Sequence, residues 1–105
     1  MSAAILVIYD GQPEDPEAFL RYYLEHHVPI VWTFPGIRAV EIDHTVEGDL
    51  FMIARFRFDS AADARAALHS PQRARARADR DCFPPFRGTV RHQIVEVIEM
   101  AASHV

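Results

Sequence analysis

Ile37–Phe58, IRAVEIDHTVEGDLFMIARFRF, is the stretch whose reading decides the fold. Two runs rich in β-branched and aromatic residues flank Val46-Glu47-Gly48-Asp49, a hairpin turn signal. In the second run Leu50, Met52, Ala54, Phe56 and Phe58 form one wholly apolar face, and Phe51, Ile53, Arg55 and Arg57 form the other. Matching the apolar faces of the two runs pairs Val40 with Phe56 and Ile42 with Ala54. The same register sets Glu41 opposite Arg55, a favourable cross-strand charge pair.

Upstream, Ala3–Tyr9, AAILVIY, is a short continuous apolar run, which predicts a strand buried on both faces. Asp10-Gly11-Gln12-Pro13 is expected to end it. The next stretch, Asp15–Gly36, reads DPEAFLRYYLEHHVPIVWTFPG. Asp15 is a helix cap, Pro16 takes the first helical position, and Pro35-Gly36 is a turn signal. Pro29 removes one donor from the helical ladder and predicts a kink near Val28. Downstream, Ser60-Ala-Ala-Asp63 resembles a capping box and opens a helix to about His69. Ser70-Pro71 starts another, expected to run to about Asp81. Cys82–Phe86 is expected to be a loop, Thr89–Met100 a fourth strand, and Ala101–Val105 a mobile tail.

The order strand, helix, strand, strand, helix, strand predicts an α+β fold, the ferredoxin-like βαββαβ sandwich, over residues 1–105 as a single domain. Its first and third strands, the most apolar, should be central. Helices cover only one face of such a sheet. Phe51, Ile53 and the second side of the first strand would then be left wet, which predicts a homodimer with the two sheets face to face.

Composition narrows the function. The 105 residues suffice for one core, and the formal charge of −4 argues against nucleic acid or anionic lipid as partner. All eleven basic residues are Arg, so Schiff-base chemistry by lysine is excluded. Arg73, Arg77 and Arg80 share a helix face, but Asp79 and Asp81 dilute them, and a solvated helix is the expected reading. One cysteine, Cys82, fits a reducing compartment. No apolar run reaches membrane length, and the opening MSAAILVIYD lacks a basic region, so a cytoplasmic protein without a leader is expected. Scattered glycines offer no phosphate loop, and the six histidines show no ligand spacing on one helix. Neither cofactor nor metal is expected.

The first helix carries the candidate site. At 100° per residue, Phe19, Leu20, Tyr22, Tyr23, Leu24, His26 and His27 sweep out more than half its circumference. Two phenols and two imidazoles on an apolar arc suggest a pocket wall rather than a plug. His27, beside Tyr23, is the candidate acid or base near neutral pH. The alternative is a buried histidine capping a carbonyl freed by Pro29. Phe19, Tyr22, His26 and Trp32 are candidate contacts to a flat apolar ligand, and equally suit core, rim or dimer contact. Arg55 is a candidate for orienting an anionic group, against the plainer role of pairing with Glu41.

Asp15-Pro-Glu-Ala-Phe19, Tyr22-Tyr23, His27-x-Pro29-Ile30 and Pro35-Gly36 together resemble the EthD family. Phe58-Asp59-Ser60, Ala67-Leu68-x-Ser70-Pro71, Asp79 and Phe83 follow in the family's order, so the likeness spans nearly the whole chain. The resemblance implies a dimeric α+β barrel with an apolar pocket between sheet and helices. The family accompanies a haem monooxygenase system for degrading ethyl tert-butyl ether, and its members are often labelled reductases. Related barrels include isomerases, cyclases and quinol-forming monooxygenases. Three readings are open. The protein is an enzyme, an oxidoreductase or a cofactor-free isomerase or cyclase, acting on a small apolar or aromatic metabolite with His27 as acid/base. Or it is a non-catalytic binder serving an oxygenase pathway, or a structural dimer with a filled interior.

Overall fold

A computed structural model describes residues 1–101. The expected tail lies, from residue 102 onward, outside the described residues. Four antiparallel strands form one sheet in the order β2-β3-β1-β4, with β1 at Ala3–Pro13, β2 at Ala39–His44, β3 at Leu50–Phe58 and β4 at Phe86–Glu96. This is the ferredoxin-like α+β sandwich, with the first and third strands central. The hairpin register is the one read from the sequence: Val40 opposes Phe56, Ile42 opposes Ala54, and Glu41 opposes Arg55. The ion pairs, however, form on the diagonal, Arg55 to Asp43 at 2.6 Å and Arg57 to Glu41 at 3.8 Å. Strand twist brings diagonal partners within reach of long side chains.

Three sequence expectations need correction. β1 does not stop at Tyr9 but pairs with β4 as far as Pro13. It continues because Gly11 faces Gly88, both with positive φ (137° and 148°). A Cβ on Gly11 would collide with the Arg87 carbonyl oxygen, and one on Gly88 with that of Asp10. The glycines therefore permit close strand approach rather than a break. β4 correspondingly starts at Phe86 and ends at Glu96, earlier than expected at both ends. Finally, the β1–β3 register skips a residue, Tyr9 pairing with Met52 and Asp10 with Leu50. This bulge turns Phe51 to the helix side, where it meets Phe19 with ring centroids 5.6 Å apart. The second sheet face keeps Leu6, Ile8 and Ile53 but loses the large ring expected there.

The first helix is composite. Regular α1, Pro16–Tyr22, is capped by Asp15, whose carboxylate accepts from the Ala18 amide. It passes into a π-helical turn at Tyr23–His27 and then into α2, Val28–Val31. Pro29 has no N–H to donate, and the Val28 amide reaches back to the Tyr23 carbonyl. The kink foreseen near Val28 is thus resolved as a wider turn. Phe19, Tyr23, His27 and Val31 are buried in a line, whereas Leu24 and His26 are exposed, so the buried stripe is narrower than the apolar arc suggested. α3 (Ala61–Leu68) and α4 (Pro71–Asp79) are capped by Ser60 and Ser70, as read from the sequence. They present Ala64, Ala67 and Ala76 to the sheet. A short 3₁₀ turn, Arg80–Cys82, leads towards β4. No helix among the described residues is long and apolar enough to cross a membrane.

Candidate functional site

The π turn delivers His27 to the underside of the helix layer, only 5% exposed. Its Nδ1 lies 3.0 Å from Oδ2 of Asp79, at the last position of α4. The other carboxylate oxygen, Oδ1, accepts a 2.7 Å hydrogen bond from the Tyr22 hydroxyl. Asp79 is thus gripped by two residues five apart on the first helix, and it ties that helix to α4. With a carboxylate as acceptor, the proton of the neutral imidazole belongs on Nδ1, leaving Nε2 as the basic nitrogen. Burial, above all, holds the His27 imidazole below its ordinary value. The bond to Asp79 opposes that shift, and the nearby Arg80 charge adds to it. The bond to Asp79, reinforced by burial, raises the Tyr22 phenol.

His27 lines a small hollow of about 30 Å³ between α4 and the sheet, room for roughly two waters. Ile5, Val7 and Phe56 form its sheet side, and Val31, Phe34, Leu68 and Ala76 its helix side. Its polar lining is Tyr9, His27, His92, and the arginines Arg73, Arg77 and Arg80. An adjoining open cleft of about 760 Å³ lies between the α4 end and β4, walled by Phe19, Phe83, Phe86 and Val90. Tyr9, Arg77 and Arg80 border both spaces. Burial pushes the Tyr9 phenol up to about 12. Burial also lowers Arg73 from its ordinary value, helped by the like charges of Arg77 and Arg80.

The candidate residues are placed as follows. His27 reaches the hollow and Phe19 the cleft. Tyr23 lies beside His27, centroids 4.9 Å apart, fully buried among rings, and its hydroxyl has no hydrogen-bond partner among the described residues. That burial raises its phenol well above the usual value. Tyr22 acts on the site through Asp79, and the exposed His26 stacks on Tyr22 at 4.7 Å. Trp32 is 50% exposed and borders neither space. Arg55 sits on the opposite face of the sheet, paired with Asp43. Sequence reading gave Asp79 no role, and it set Arg73, Arg77 and Arg80 aside as solvated. Asp79 is 52 residues from His27, and only its place in the family pattern marked it. Among the described residues, no three His, Cys, Asp or Glu side chains converge to hold a metal ion.

Fold and site together define a class: small ferredoxin-like α+β proteins with a hollow between helices and sheet. No family model matches the chain. Its fold is shared with an ethyl tert-butyl ether degradation (EthD) family protein of Bacillus halodurans, with a TM-score of 0.80 at 21% identity. That match covers 93% of this chain and all of the other. An EthD-like protein of Ralstonia eutropha gives 0.74 at 19% identity, covering 96% of each chain. SnoaB of Streptomyces nogalater, a cofactor-independent oxygenase, gives 0.70 at 12% identity, covering 97% of this chain and 98% of that one. At the level of sequence, the chain is 31% identical over 80 residues to an uncharacterized 11.0 kDa protein from the thcB–thcC intergenic region of Rhodococcus erythropolis. That alignment spans 71% of this chain and 77% of the relative. The chain belongs to one family with that Rhodococcus protein, and its fold is the one that the EthD family proteins share.

Proposed function

We propose that the protein binds a small apolar or aromatic metabolite between α4 and the sheet, and that His27 exchanges a proton with it. The observation that carries this reading is the Asp79–His27 pair at the wall of the hollow. Asp79 fixes the ring and its tautomer, and it stabilises the imidazolium that forms when Nε2 accepts a proton. A lowered imidazole value keeps His27 neutral, hence a competent base, at neutral pH. Removing a proton from an acidic C–H or O–H is the step this side-chain set can perform unaided. It opens either isomerisation or, as the cofactor-independent oxygenase of the same fold suggests, reaction of an electron-rich substrate with dioxygen. Phe19 would contribute the aromatic wall, with Tyr22 and Tyr23 as its supports and His26 at its rim. Trp32 and Arg55 line neither space and take no part in this reading.

The reading includes a homodimer built through Leu6, Ile8 and Ile53 on the second sheet face, and a cytoplasmic setting in which the exposed Cys82 stays a thiol. Sedimentation equilibrium then returns twice the 12.0 kDa chain mass, and a monomer overturns the pairing.

The test of the chemistry begins with mass spectrometry of small molecules carried through native purification. Conversion of the captured compound is then followed in wild type, His27→Ala, His27→Asn and Asp79→Asn. A loss of about 100-fold or more is expected at His27, and a smaller one at Asp79, with binding retained. Undiminished conversion in both His27 variants excludes proton transfer by this residue. The limited volume of the hollow favours a second reading, a filled interior, if no compound is carried and none binds.

A further inference from the structure

Three arginines line a hollow whose remaining walls are apolar apart from Tyr9, His27 and His92. Arg73, Arg77 and Arg80 lie four and three residues apart, on one face of α4 and the turn that follows it, and all three line the space that His27 reaches. Among the described residues, none of them forms a salt bridge. Arg38, Arg55, Arg57, Arg87 and Arg91, by contrast, each have a carboxylate partner. Of the two carboxylates adjacent to Arg80 in sequence, Asp79 is committed to His27 and Tyr22, and the exposed Asp81 borders the open cleft without pairing, among the described residues, with any of the three. Arg73 and Arg80 are half-buried, so their mutual repulsion is less screened than on an open helix. The stems of three arginines could cover apolar surface with their charges splayed into water. Here they face a common space instead, and Arg77 and Arg80 also border the open cleft.

We propose that this arginine trio is an anion seat, and that the ligand is an organic acid whose carboxylate or phenolate is attached directly to a flat apolar body. The inference rests on the hollow being a ligand site, and it adds the class of ligand. The negative group sits between Arg77 and Arg80 at the boundary of the two spaces, with Arg73 behind. The apolar body enters towards Val31 and Phe34, which line the hollow. A guanidinium fork matches the planar geometry of a carboxylate, so arginine suits this seat better than a point charge would. Seating the anion beside His27 also places the acidic position of the ligand near its basic nitrogen.

The experiment measures binding by titration calorimetry of benzoate, 2-naphthoate and anthracene-2-carboxylate, each against its uncharged primary amide. The wild-type acids should bind about tenfold more tightly than the amides, and that preference should shrink as salt is raised. Arg77→Gln/Arg80→Gln should bring the ratio to about one while leaving amide binding in place. Arg77→Lys/Arg80→Lys should restore part of the preference, which controls for folding. Equal binding of acids and amides by the wild type, or an unchanged preference in the glutamine variant, overturns the anion seat and leaves the apolar site standing. Binding of no probe at all overturns both the seat and the site.

Discussion

Phe19 and Ala76 cover the same side of the sheet, yet their surroundings differ. Around Phe19 the layer is filled by rings: Tyr9, Phe51, Phe83 and Phe86 stand with centroids 5.5 to 5.8 Å away. Most meet it edge to face, the arrangement aromatic pairs prefer. Around Ala76 the helices offer Ala64 and Ala67, and Arg73, Arg77 and Arg80 line the gap together with Phe34 and Phe56. The ring cluster packs on itself and borders the open cleft on its outer side, whereas the Ala76 end keeps the small hollow within. Asp79, His27 and Tyr22 join the two, because the polar contacts lie where the rings stop and the arginines start. The ring cluster and the hollow thus lie side by side along one helix layer, and the titratable group sits at their border.

The contrast can be broken most severely at its packed end. Phe19→Ala should cost about 3–5 kcal/mol of unfolding free energy in urea titrations. A loss under about 1 kcal/mol would show that the ring cluster is not close-packed.

The border is tested by pH. The folded value of His27 is lowered, so unfolding takes up a proton in the window between that value and about 6.5. The contribution of neutral His27 to stability is therefore complete above about pH 6.5 and is lost as pH falls through the lowered value. His92, also lowered chiefly by burial, acts in the same direction. Thermal unfolding between pH 7.5 and 5 should show Tm declining with acid, and His27→Asn should flatten the slope. A slope unchanged by that substitution would place the titration elsewhere.

The smallest expected effect sharpens the comparison. Among the described residues the buried Tyr23 hydroxyl has no partner in hydrogen-bond geometry, although Tyr9 is close enough to influence it, so Tyr23→Phe should be neutral or stabilising by about 1 kcal/mol. Destabilisation by that amount would reveal a bonded hydroxyl, and with it a polar site extending into the packed end.

Much of this architecture is legible in the chain. Local patterns suffice where the decisive partner is near in sequence. Ser60 and Ser70 cap their helices through amides three residues on, and the 37–58 hairpin aligns by its own two faces. Reading fails where the partner is remote. Gly11 alone reads as a break, and only Gly88 opposite turns it into close pairing. Phe51 alternates correctly along β3, and only the mismatch with β1 rotates it to the helix side. At the site, His27 stands out by its type and helical neighbours. Asp79 and the arginines do not, because an Arg-rich helix looks solvated until the fold sets it over a hollow. Trp32 and Arg55 are the converse: their chemistry suits a ligand, but on the fold they line neither the hollow nor the cleft.

The π turn has a consequence for how the histidine is aimed. At 100° per residue, a spacing of four overshoots a full turn by about 40°, so three such steps accumulate about 120° of drift. Phe19, Tyr23, His27 and Val31 are spaced by four throughout, yet all are buried. Slower winding across 23–27 absorbs part of that phase error. Proline at position 29, by denying the ladder one donor, thereby sets the angular bearing of an imidazole two residues earlier.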